Sequence, residues 1–193
     1  MNSSNPIIRF DPKKLAYYEK ENYVAYYQKR WLRLLRVSVG MVKQAFNLNL
    51  FQAICAAYLV ARAEIAFAPF PNNDVPRAEA YMRRFYTFIK RIHHLDFDVE
   101  QAAKLELKWW IAHRQLFGNQ ENLGLVDALL DLYVFIYKMD RARLRESVVQ
   151  RARGMLYSDL WVNGGRDPNS PLLAQEEEAL YKSYKSLYDM VNA

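Results

Sequence analysis

Residues Asp98–Phe117 read DVEQAAKLELKWWIAHRQLF. Asp98 with Gln101 three positions on has the form of a capping box, and a helical pattern runs on from it. At about 100° per residue, Gln101, Lys104, Lys108 and Gln115 share one arc, the solvent side. Ala102, Ala103, Trp109, Trp110 and Phe117 lie opposite. Within that dry arc, nearly across from the lysines, sit Glu106 and His113. A carboxylate and an imidazole therefore stand where a helix is driest, and that placement asks for a chemical explanation.

The rest of the 193-residue chain supports the helical reading around this stretch. It is 52% hydrophobic, with only 6 Gly and 7 Pro, a scarcity of breakers that points to helices. We find no strand-like alternation, internal repeat or low-complexity tract. The expectation is one all-α domain spanning residues 1–193, a bundle of six or seven helices, with 1–12 as an extended arm and 162–169 as a loop.

Taken in order, a long first helix is expected over 13–46, behind Asp11-Pro12. Its dry face carries Tyr17, Val24, Trp31, Leu35 and Val42, a seven-residue rhythm suited to bundle packing. Gly40 offers a bend. The second helix, 50–68, stops at Pro69 and is apolar almost all round, which predicts a central, buried position. Its alanine row, Ala53, Ala57 and Ala61, is continued by Glu64. Asp74 caps a third helix ending near Leu95, with Arg83, Arg84, Lys90 and Arg91 on its wet side. After the opening stretch, helices are expected over 123–139 and 140–160, and a last one follows Ser170-Pro171 to about Val191. Asp159 continues the dry row of Leu144, Val148, Ala152 and Met155.

Glu106 and His113, seven residues apart, are separated by about 10.5 Å along one helix. Counting heights from each turn of an up-and-down bundle puts Glu64 level with His113, so the two are expected to pair. Three readings follow. Glu64, Glu106 and His113 form a satisfied polar cluster, as buried charges require partners. Alternatively they form a metal or acid–base site, with Glu21 or Asp127 in reserve, and carboxylates with imidazole suit iron or manganese. A third reading has them orient an organic ligand. The Glu-x-x-His spacing of di-iron bundles is absent, and there are only 3 His. Trp109-Trp110 reads as core packing, and Cys55 as an inert thiol.

Charge suggests a second class of function. The chain carries a net +6, concentrated on the first and third helices. Arg33, Arg36, Arg83, Arg84, Lys90 and Arg91 form basic faces suited to nucleic acid, an anionic membrane surface or an acidic protein. The bland alternative is a charge stripe that solvates a helix. A protein partner or homo-oligomer is compatible with either. Cys55 as the only cysteine, no recognisable signal peptide and no uninterrupted apolar run of membrane-spanning length lead us to expect a cytoplasmic protein. The balance of these readings is a non-catalytic helical binding or scaffold protein, without a required cofactor.

Overall fold

The structure, a computed structural model, describes residues 6–69 and 71–193. It is all-helical, 79% helix with no strand among the described residues. A 3₁₀ turn at Pro6–Ile8 precedes eight helices: α1 (Pro12–Tyr27), α2 (Trp31–Ala45), α3 (Leu50–Phe67), α4 (Val75–His93), α5 (Val99–Gln115), α6 (Leu123–Tyr137), α7 (Arg141–Asn163) and α8 (Pro171–Asn192). Each helix packs against its chain neighbours, and α8 returns to α1, so the bundle closes on itself.

Side-chain caps start most of these helices. Asp11, Asp74, Asp98, Asp140 and Ser170 each accept backbone N–H bonds at their N-caps. Asn49 and Gln52 form a reciprocal capping box at α3. At Asp98 the carboxylate accepts from the N–H groups of Glu100 and Gln101.

The expected first helix is in fact a hairpin. Lys29 takes a left-handed φ of 57°. The Lys29 N–H bonds the Tyr26 carbonyl and the Arg30 N–H bonds the Ala25 carbonyl, the two bonds of a Schellman stop. Neither Gly nor Pro marks this break. Gly40 lies inside an unbroken α2 and serves close approach instead. A Cβ there would lie 2.6 Å from the Tyr18 ring of α1.

Two hydrophobic clusters fill the bundle. One gathers Val42, Ala57, Met82, Phe85, Ile89 and Leu107 from α2–α5. The other gathers Leu15, Leu129, Leu144, Val148, Leu180 and Leu187 from α1 and α6–α8. Trp109 packs against both. The expected N-terminal arm is not extended over its described part: Ile7 and Phe10 are buried, one in each cluster.

Helix α3 overturns its predicted central position. Only 28% of it is buried, although by length and composition it is apolar enough to cross a membrane, with mean hydropathy 1.5. Leu50, Phe51, Ile54, Tyr58 and Ile65 are exposed. The stripe of α2 divides likewise: Val42 is buried, whereas Trp31 and Leu35, on the same arc, are exposed. A hairpin break removes the straight rod on which that stripe would have stayed covered. Cys55, on α3, is only half-buried.

Candidate functional site

The polar groups of the interior fall into two clusters joined by the face of α5. In the first, Glu106 accepts hydrogen bonds from the Tyr86 hydroxyl at 2.7 Å and from the indole N–H groups of Trp109 and Trp110 at 3.0 and 3.1 Å. The spacing explains the paired indoles: positions 106, 109 and 110 share one face through i, i+3 and i+4. Burial raises the Glu106 carboxyl above its usual range, and the Tyr86 bond and the Arg151 charge oppose that rise. Trp109-Trp110 is thus core packing, as expected, and also the donor set of a buried carboxylate.

Arg151 occupies the middle of the bundle. It pairs with Glu19 through two nitrogens at 3.2 and 3.1 Å and donates to the Tyr133 hydroxyl at 3.2 Å. The rings of Trp109, Tyr133 and Tyr184 surround its guanidinium at 5.4–6.0 Å. Such rings favour a planar cation whose hydration has been stripped away. Tyr184 also donates to Glu19.

The second cluster centres on Asp159, only 2% exposed. It accepts from the Tyr23 hydroxyl at 2.6 Å, from His113 Nε2 at 3.1 Å and from the Gly118 N–H at 3.0 Å. Its carboxylate therefore ties α1, α5 and the α5–α6 turn to α7. The His113 ring lies between those of Trp109 and Phe117, with centroids 6.5 and 6.0 Å away. Burial and the Asp159 charge hold the Tyr23 hydroxyl protonated far above the usual tyrosine range.

Three sequence expectations are corrected here. Glu64 is exposed rather than buried, and His113 pairs with Asp159 rather than with Glu64. The error lies in register. The Phe67 ring meets Trp110, and Arg114 donates to the Ala68 carbonyl. Those contacts put Glu64 about two turns lower, toward Glu106, whose charge helps raise its carboxyl. Crowding by the surrounding protein is the larger cause, and together they push it up to about 7 although the residue is exposed. Third, Glu64, Glu106 and His113 do not converge as a ligand set. Among the described residues no three His, Cys, Asp or Glu side chains gather to hold a metal ion. Glu106 accepts from Tyr86, Trp109 and Trp110, and His113 Nε2 meets Asp159, so the three side chains turn to separate partners.

The reserve candidates are structural as well. Glu21 is buried against Lys20 and Arg33. Asp127 shares Arg141 with Asp131 on the outer edge of α6. The basic faces are partly neutralised: Arg83 pairs with Glu100, and Lys90 caps the Phe97 carbonyl. Arg84 lies over the Tyr81 ring, and Arg91 is exposed.

Reading the sequence missed Arg151, Glu19, Tyr23 and Glu176. Glu176, only 1% exposed, has one carboxylate oxygen without a hydrogen-bond partner. Burial raises its carboxyl to about 8, against the pull of the Ser158 hydroxyl. Its position was legible, since it falls between Leu173 and Leu180 on the docking stripe of α8. Arg151 was legible in the same way, seven residues after Leu144 and four before Met155 on the row of α7, whereas Glu19 left no signal, because it falls across the helix from Tyr17 and Val24.

No protein-family model, curated protein or solved structure matches this chain.

Proposed function

We propose that the protein is a non-catalytic helical binding or scaffold protein whose docking face is formed by α2 and α3. The observation that carries this reading is the set of large apolar side chains those helices hold in solvent. Leu32 is 87% exposed, Phe51 75%, Ile65 65% and Trp31 59%. Large exposed apolar side chains in this number mark interaction sites, because exposure to water without a compensating partner is unfavourable. The interior supports the same reading. Glu106 and Asp159 each accept three donors and Glu19 neutralises Arg151, so these groups satisfy one another and hold helices in register. The bundle reads as one domain because Trp109 packs against both hydrophobic clusters.

The test replaces Leu35 and Ile54 with Gln. A docking face predicts a denaturation midpoint within about 0.5 kcal/mol of wild type, as for other surface changes, together with lower binding of a hydrophobic dye. A loss of about 2–5 kcal/mol, typical of core truncation, would show that these residues hold the fold together and would remove the docking face.

A further inference from the structure

From the charge that surrounds this apolar face we infer its partner: the α2–α3 surface docks on an anionic lipid bilayer. The inference rests on the docking-face reading above. Between Lys29 and Ala63 the chain contains no acidic residue but six basic ones: Lys29, Arg30, Arg33, Arg36, Lys43 and Arg62. The exposed Trp31, Leu32, Leu35, Leu50, Phe51, Ile54 and Tyr58 lie within that same stretch.

The cations are placed to meet a surface. Lys29, Arg30, Arg36 and Lys43 are exposed and have no ion-pair partner among the described residues. Arg33 is held by Glu21, and Arg62 bonds the Tyr58 hydroxyl and lies over the Tyr81 ring at 5.0 Å. The eight residues from Lys29 to Arg36, KRWLRLLR, alternate large apolar side chains with arginine. An interfacial helix needs that composition. Trp and Leu enter the acyl boundary, and the guanidinium groups remain at headgroup level with phosphate or carboxylate partners.

Shape favours a bilayer over an acidic protein. The exposed apolar residues of α3 run from Leu50 to Ile65, about 22 Å along the helix, and α2 adds a second row beside it. Of two surface grooves of the molecule, one lies around Phe10, Pro12 and Tyr188, and the other around Phe88, Arg84 and Arg91, touching α3 only at Leu59. Neither includes Trp31, Leu32, Leu35, Phe51, Ile54 or Ile65. A broad apolar strip fringed by these basic side chains, with Glu64 beside Ile65 as its one exposed carboxylate, is complementary to lipid, where apolar depth and anionic headgroups recur at every position.

The experiment is co-sedimentation of the full chain with phosphatidylcholine vesicles, with and without phosphatidylserine, read together with tryptophan emission. Trp31 is the exposed tryptophan, whereas Trp110 and Trp161 are buried and Trp109 is half-buried. The proposal expects binding only to vesicles containing phosphatidylserine, weakened by salt, with a blue shift of emission that Trp31→Phe abolishes. Arg30→Gln, Arg36→Gln and Lys43→Gln should each weaken binding about fivefold. Binding that is equal with and without phosphatidylserine would overturn the electrostatic part and with it the proposal. Equally tight binding to duplex DNA without the emission shift would overturn it in favour of a general polyanion surface. An absence of vesicle binding with concentration-dependent dimers that Leu35→Gln dissolves would overturn the lipid partner yet leave the docking face standing, with a second copy as its occupant. If no binding and no dimer are seen, the lipid partner is likewise overturned, and the stability of the Leu35 and Ile54 variants separately decides the face.

Discussion

The Tyr23 hydroxyl of α1 donates to Asp159 of α7 at 2.6 Å, a second polar tie between these two helices beside the Glu19–Arg151 pair. Asp159 accepts from Tyr23, His113 and Gly118 together. Removing its charge leaves three donors sharing one oxygen and an amide. Asp159→Asn is therefore expected to lower stability by about 2–4 kcal/mol. Urea denaturation measures this, and an unchanged midpoint would show that the cluster contributes nothing. Tyr23→Phe should cost less, about 1–3 kcal/mol, because it removes one donor and leaves the carboxylate two others.

Glu106 presents the same logic with neutral donors. Glu106→Leu strands the Tyr86 hydroxyl and two indole N–H groups in the interior, for an expected loss of about 3 kcal/mol or more. In the Tyr86→Phe, Glu106→Leu double variant one of the stranded donors is gone, so its loss should be smaller than the sum of the singles. A strictly additive double-mutant cycle would contradict the hydrogen bond between the two residues.

Glu176 sets a pH dependence. Its carboxyl is raised to about 8 in the folded protein, against about 4.3 for an unfolded glutamate. Between those values the folded state holds a proton that the unfolded state has lost. Stability therefore falls as pH rises through this window, by up to about 1.4 kcal/mol per pH unit, and levels off above it. The groups facing Glu176 are Glu19 and Lys20 of α1 and Ser158 and Asp159 of α7, and all four are present in the wild type and the variant alike. Glu176→Gln should reduce the slope, leaving the part contributed by the other raised carboxyls, Glu64 and Glu106. Parallel pH–stability curves for wild type and variant would exclude Glu176 as its source.

Gly40 brings α1 and α2 together over the Tyr18 ring. A methyl group there must displace the ring, since its carbon would lie 2.6 Å from two ring atoms. Gly40→Ala is expected to cost about 1–3 kcal/mol despite its better helix propensity. Tyr18→Ala in the same chain should recover part of the loss caused by Gly40→Ala. If Gly40→Ala stabilises the protein, the hairpin is looser than described.

Local rules carried much of the architecture. Asp11, Asp74, Asp98, Asp140 and Ser170 announce helix starts because short polar side chains satisfy otherwise unbonded N–H groups. The inward face of α5, including Glu106 and His113, could be read from its 3.6-residue period alone. So could the outer edge at Asp127 and Asp131. Other features depended on assembly. The break at Lys29 uses a left-handed residue with no Gly to signal it, so one long helix and a hairpin look alike in the sequence. Apolar character around all of α3 predicted burial, but hydrophobicity sets only the tendency to leave water; whether a neighbour arrives to cover each face is decided by packing. The partner of His113 turned on the same point. Turn counting set its depth to within about two helical turns, but a hydrogen bond requires agreement within a few tenths of an ångström. Only the docking of α7 against α5 brought Asp159, and not Glu64, to the imidazole.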